Sequence, residues 1–246
     1  MGLYGWRHIL MTLTIRPNTT LRYGMTLKGF TAPILKFDAE SYTSGTTWLD
    51  TINSTPATLV GDVTLTTGPN ALNFTATGGA EEGYAQVTPG VYFNHSWTAE
   101  GWVYVTSVTN WARLFDFGGG VDDDNVIIAV SEETTGYPVL GIKPNSDLVS
   151  DTILPLNEWV HLSATYDYAS QTGTLYMNGT QVAQASMTPK LQNNNQGLCY
   201  IGRSNWQALG DANLEGAVGE LTIYPFAMSG TEVLAQYNNR KTHYGL

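Results

Sequence analysis

The sequence holds one cysteine, little charge and few basic residues, and each scarcity removes a class of protein. With Cys199 alone among 246 residues, no intrachain disulfide can form and the fold cannot depend on oxidative stapling. The residue reads as a small core side chain. Charged residues make up 13% of the chain, and 21 acidic against 11 basic side chains leave a net charge of -10. Such a surface repels phosphate backbones and anionic membranes at long range, which argues against nucleic acid and membrane partners. No apolar run approaches the roughly 20 residues of a membrane helix. Near the N-terminus, Arg7 and His8 precede Ile9-Leu10-Met11, an apolar stretch shorter than the about 7 to 15 residues of a secretory signal. The expectation is a soluble protein made in a cytoplasm.

Catalytic signatures are equally scarce. The chain has no Gly-x-Ser-x-Gly elbow, no His-Glu-x-x-His pair and no phosphate-cradling glycine loop. His8, His95, His161 and His243 are scattered without metal-ligand spacing and read as surface or strand filler. Glu81-Glu82 and Glu132-Glu133 are adjacent pairs, whose side chains point to opposite faces of an extended backbone. They read as solvated turn charges, and no enzyme is expected.

What the chain does have is 26 glycines and 11% aromatic residues, with Thr, Asn, Ser and Gly clustered between apolar runs. That pattern suits many short strands joined by turns, and the length suffices for one large all-β sandwich. The run from Leu156 to Asp167 alternates: Val160, Leu162, Ala164 and Tyr166 fall on one face, and His161, Ser163, Thr165 and Asp167 on the other. This predicts a half-buried antiparallel strand. Downstream, Asn178-Gly179 between β-prone segments predicts a two-residue type I′ hairpin. At the C-terminus, Ser229-Gly230-Thr231-Glu232 is a capping-box pattern, and Val233, Leu234 and Tyr237 share a helical face. A short closing helix packed on the sandwich follows.

The first 30 residues have their own period. Thr14-Ile15-Arg16, Thr20-Leu21-Arg22 and Thr26-Leu27-Lys28 repeat Thr, aliphatic, basic every six residues. This spacing fits successive short β segments, each presenting one aliphatic side chain (Ile15, Leu21, Leu27) to a partner. Such a piece cannot bury those side chains alone. It predicts residues 1–30 as an attachment or oligomerisation arm, with residues 31–246 as the sandwich domain. An ordinary extended arm with accidental Thr spacing is the alternative. Three copies favour a homo-oligomer, a trimer over a dimer.

The order of elements supplies a resemblance. Gly101-Trp102-Val103-Tyr104-Val105, then the strand at 156–167 with its hairpin, then Gly216-Ala217-Val218-Gly219-Glu220-Leu221-Thr222-Ile223-Tyr224 resembles the laminin-G-like branch of the concanavalin A-like jelly rolls, from about Ile34 to the C-terminus. The resemblance implies a two-sheet jelly roll with a short N-terminal β arm and a short C-terminal helix. The Thr-aliphatic runs of the arm and the closing helix with its basic tail look like the ends of structural proteins of tailed phages, especially those of marine bacteria. On that likeness the expected protein is a non-enzymatic virion component, a capsid decoration or a tail or head fibre, with a lectin-like domain for adhesion or shell reinforcement. Its partners would be other virion proteins, held through the arm, and a cell-surface glycan. A bacterial carbohydrate-binding or adhesion module, extracellular or at the cell surface, is the main alternative. A glycoside hydrolase of the same superfamily is disfavoured, because the Glu-x-Asp-x-(x)-Glu pattern of the glucanase relatives is missing.

Two sites stand out. Asp116-Phe117-Gly118-Gly119-Gly120-Val121-Asp122-Asp123-Asp124-Asn125 concentrates oxygen ligands. Asp122, Asp123, Asp124 and Asn125 are candidates for a structural calcium ion, with a plain Asp-rich turn as the alternative reading; no other cofactor is expected. Trp102 and Trp159 lie in strands and read as core or sheet residues, whereas Trp111 and Trp206 lie in loops. An exposed indole stacks on a sugar ring and an adjacent amide bonds its hydroxyls, so Trp111, Asn205 and Trp206 are the candidate glycan-binding residues. Tyr42 and Trp48 also look loop-borne.

Overall fold

The computed structural model describes residues 13–15, 19–21, 32–76, 82–144, 146–188 and 195–246. The chain divides into two compact units, Met1–Phe30 and Thr31–Leu246.

In the first unit, β1 (Leu13–Ile15) and β2 (Thr19–Leu21) form an antiparallel ladder. The first two copies of the six-residue repeat therefore pair with each other, Ile15 opposite Thr19 and Leu21 opposite Leu13. The third copy, with Leu27, lies outside the described residues.

The described residues of the second unit form sixteen strands. They begin with β3 (Leu35–Asp38), β4 (Thr47–Leu49), β5 (Pro56–Val60), β6 (Val63–Thr66), β7 (Ala71–Phe74) and β8 (Tyr84–Val87). The long β9 (Trp97–Ser107), β10 (Arg113–Gly118), β11 (Val126–Ala129), β12 (Val139–Ile142) and β13 (Ser146–Val149) follow. The last are β14 (Trp159–Asp167), β15 (Thr172–Met177), β16 (Thr180–Ser186), β17 (Leu198–Ile201) and β18 (Glu215–Tyr224), before helix α1 (Gly230–Arg240). One sheet has the order β16-β15-β14-β9-β18-β7-β6, with β3 also paired to β18; the other runs β13-β12-β11-β10-β17-β8-β5-β4. All pairings are antiparallel, and sequence neighbours are repeatedly separated in space, giving the two-sheet jelly roll. Between the sheets, Trp97, Val103, Leu162, Ala164, Leu221 and Ile223 meet Phe115, Phe117, Val126, Ile128 and Ile201 in one apolar core. Cys199 is buried there with a free thiol, and burial raises its pKa far above the ordinary range.

Two expectations need correction. Strand β14 is not half-buried: His161, Ser163 and Thr165 on its outer face are as enclosed as its core face. The cause is the C-terminal segment, which covers the outer side of β9, β14 and β18. Tyr244 stacks on Trp102 at 4.2 Å with 15° between planes, and Tyr237 on the same indole at 5.8 Å. Beneath this cover His161 Nε2 lies 3.5 Å from Glu100 Oε2, and the Tyr224 hydroxyl donates to Glu100 Oε1 at 3.2 Å. Arg240 fixes the tail by pairing with Glu220 at 3.2 Å and Asp38 at 3.5 Å. Trp48 is the second correction, since it lies in β4, fully buried against Phe37 at 5.0 Å.

The remaining local expectations hold. Asn178 and Gly179 take φ angles of 52° and 76°, the left-handed pair that a type I′ turn requires. Ser229 accepts from the Glu232 amide while Glu232 Oε2 accepts from the Ser229 amide at 2.7 Å, completing the capping box. Val233 is buried, and Leu234, although 43% exposed, lies against the Asn178-Gly179 turn.

Because the core and the tail contacts lie within Thr31–Leu246, deletion of residues 1–30 should leave the sandwich folded. Thermal unfolding followed by circular dichroism should show a cooperative transition within a few degrees of the full-length protein; loss of the transition would place the N-terminal strands in the folding unit.

Candidate functional site

The site begins with a phase change in β10. Register against β11 shifts between Arg113 and Phe115, and Leu114 and Phe115, neighbours in sequence, both enter the core. The bulge thereby leaves Arg113 and Asp116, three residues apart, together on the outer face, Arg113 Nε 3.9 Å from Asp116 Oδ2. Asp116 is fully buried. Its Oδ1 accepts from Asn125 Nδ2 and from Asn205 Nδ2, both at 2.8 Å, and its Oδ2 accepts from the Asn205 amide at 2.8 Å. Burial pushes the Asp116 carboxyl above its ordinary pKa, against the opposing pull of Arg113 and of these hydrogen bonds.

Three segments are thereby tied to one carboxylate: the strand, the Asp-rich turn and the loop after β17. Within the turn, the Gly119 amide donates to the Asp123 carbonyl at 2.7 Å and the Asp123 amide to Asn125 Oδ1 at 3.0 Å. Gly118 allows this closure, because a Cβ there would stand 2.2 Å from Asn125 Nδ2. In the loop, Ser204 Oγ donates to Asp211 Oδ2 at 2.7 Å and accepts from the Trp206 amide at 3.0 Å. Arg113 bridges inward, donating from Nη2 to Asp211 Oδ2 at 2.9 Å and from Nη1 to the Trp111 carbonyl at 2.6 Å.

The result is a cleft of about 270 Å³ lined by Trp111, Arg113, Asp122, Lys143, Trp206 and Asp211. The guanidinium of Arg113 forms part of it, its carbon 5.2 Å from the Trp111 ring centre and 5.8 Å from that of Trp206; Lys143 Nζ lies 5.9 Å from the Trp206 ring. Trp111 holds φ at 53°, a left-handed conformation that a bulky side chain adopts at a cost of about 1–2 kcal/mol. Strain of this kind is retained where the surroundings impose it, and it collects at binding sites.

Of the residues expected to bind a glycan, Trp111 and Trp206 are brought into one cleft although 95 positions apart in sequence. Asn205 is turned away from them: its Nδ2 is committed to Asp116 and to the Leu198 carbonyl at 3.2 Å. It serves to hold the loop. The calcium candidates are dispersed. Asn125 is buried as a bridge to Asp116, Asp122 and Asp124 sit at turn positions with φ of 53° and 54°, and only Asp122 lines the cleft. Among the described residues no three His, Cys, Asp or Glu side chains converge on one point, and the run folds as a turn closed by Asn125, which accepts from the Asp123 amide and donates to Asp116. Arg113, Lys143 and Asp211 were not expected in the site. Arg113 and Asp211 are 98 residues apart in sequence, a pairing that only the strand order makes.

The profile of the concanavalin A-like lectin/glucanases superfamily, of the laminin-G type, matches residues 77–234, and the chain belongs to this family. No curated protein sequence matches it. Among solved structures, the chain is similar to domain 4 of AbnA, an extracellular arabinanase of Geobacillus stearothermophilus solved with arabinotriose. That likeness has 18% identity and a TM-score of 0.60, over 76% of this chain and 90% of the other. Also similar are botulinum neurotoxin type C, from a study of its ganglioside-dependent cell entry (15%, TM-score 0.62, 84% of this chain), and the binding domain of neurotoxin DC with rat synaptotagmin II (14%, 0.63, 84%). The match spans about half of each neurotoxin chain. At these identities the likeness establishes the fold.

Replacing Asp116 by alanine should cost about 3 kcal/mol, since it strands the amides of Asn125 and Asn205 and removes one partner of a buried arginine. Urea denaturation checks this; a loss below about 1 kcal/mol, within the range of an ordinary surface substitution, would mean that the carboxylate does not organise the three segments.

Proposed function

We propose that this chain is a non-enzymatic carbohydrate-binding module and that the cleft between Trp111 and Trp206 receives the sugar. One observation carries the reading: two partly exposed indoles from distant loops face a single cleft, with charged donors and acceptors between them. An indole face covers the apolar side of a pyranose or furanose, while carboxylates and cationic N–H groups bond its hydroxyls. Placement on a rigid sandwich fixes those groups in advance. The arabinotriose in the arabinanase domain and the gangliosides of the neurotoxin are consistent with a glycan ligand on this architecture. The carboxylates offer little for hydrolysis, because Asp116 is sealed beneath the loop and Asp211 is held by Arg113 and Ser204.

The finer placement is a virion protein, a decoration or fibre component, attached through residues 1–30 and displaying the module outward. It is supported by the likeness of both chain ends to tailed-phage structural proteins and by the separate N-terminal unit. Light scattering on the full-length protein and on residues 31–246 tests the arm: an oligomer that falls to monomer supports it, and an equal number of subunits in both rejects self-assembly through the arm.

Trp206→Ala should weaken binding on a glycan array by about tenfold or more, equivalent to about 1.4 kcal/mol, with thermal stability little changed. Trp111→Gly should also lose binding with little change in stability, because relief of the left-handed φ offsets the lost packing of the half-buried indole and the entropy that glycine adds to the unfolded chain. Undiminished binding in both variants would remove the cleft from consideration.

A further inference from the structure

We infer that the cleft selects uncharged sugar residues and rejects uronic and sialic acids; the inference rests on the cleft being the glycan site. Two of its lining groups are cations, which at first sight suits an acidic ligand. Each cation is already neutralised. Arg113 donates to Asp211 Oδ2 at 2.9 Å and stands 3.9 Å from the buried Asp116, and Lys143 pairs with Asp147. Asp122 then remains as a carboxylate facing the cleft with no ion-pair partner among the described residues. An incoming carboxylate would meet paired cations, one free anion and the field of a chain with net charge -10.

The same groups suit a neutral sugar. A vicinal diol both donates and accepts, and the cleft offers both functions: Asp122 and Asp211 accept, while Lys143 and the guanidinium of Arg113 donate. These bonds to charged groups are stronger than neutral ones without requiring charge on the ligand. The cleft volume of about 270 Å³ falls just below the roughly 300 Å³ at which drug-sized sites begin, which suits one sugar residue or a chain end rather than a long polymer.

The test is a glycan array, followed by calorimetry on the hits, carrying neutral oligosaccharides beside their uronate and sialylated counterparts and probed with full-length wild type, Trp206→Ala and Asp122→Asn. Asparagine keeps the shape of Asp122 and tolerates its left-handed φ. The wild type should bind a neutral ligand at least about tenfold tighter than its acidic counterpart, as one uncompensated like charge predicts. Trp206→Ala should lose that binding, and Asp122→Asn should narrow the gap. Acidic glycans bound as tightly as neutral ones, with loss in Trp206→Ala, would overturn the selectivity and leave the glycan site standing. Absence of any signal, neutral or acidic, would overturn both.

Discussion

A single buried carboxylate organises the face of the sandwich on which the cleft lies. Placing Asp116 where water cannot reach it carries a large desolvation cost, and such a charge persists only if hydrogen bonds and an opposite charge surround it. Three donors and Arg113 meet that demand, and they come from three separate segments. The strand contributes Arg113, the Asp-rich turn contributes Asn125, and the loop after β17 contributes both the amide and the side chain of Asn205. Satisfying Asp116 therefore fixes the positions of the turn that carries Asp122 and the loop that carries Trp206. The cleft is a by-product of neutralising one charge.

The bulge in β10 makes this possible. In a regular strand, residues 113 and 116 would point to opposite faces, and Arg113 would enter the core. Sending both Leu114 and Phe115 inward shifts the phase by one, and the arginine and aspartate emerge together. The other sheet meets the corresponding problem differently. Its outer face carries Glu100, His161, Ser163, Glu220 and Thr222 along three central strands, and the C-terminal helix and tail cover them. Aromatic stacking of Tyr244 and Tyr237 on Trp102, with Arg240 between Glu220 and Asp38, holds that cover. One sheet thus shields its polar outer face with a loop and the other with the chain terminus.

This division explains what the sequence disclosed. Alternation in β14, the Asn178-Gly179 turn and the Ser229–Glu232 capping box are local devices, readable within a dozen residues, and each forms as expected. Misreadings came where a distant segment decided the outcome. Strand β14 looked half-solvated because its pattern cannot show that residues 237 and 244 will cover it. Asn205 looked like a sugar ligand because its neighbour is an exposed tryptophan, yet its amide answers to a carboxylate 89 positions away. The Asp run, readable as a cation site or as a plain turn, takes its shape from Asn125, which bridges to Asp116. Arg113 and Asp211 had no local signal, since their meeting depends on strand order alone.

The geometry also bears on how such a module would have to work. A small cleft open to solvent, with its charges already paired, gains mainly from stacking and a few hydroxyl contacts, and the ordering costs of association leave little surplus. Single-site affinity is then modest. A chain that carries an additional β unit at its N-terminus has a physical remedy if that unit gathers several copies on one support. Each further contact becomes intramolecular, and avidity rises by roughly 10² to 10⁴ without any change in the cleft. Under that arrangement the selective demand on the cleft is for discrimination between ligands rather than for strength. Charge pairing inside the site would then supply discrimination, and repetition through the arm would supply strength.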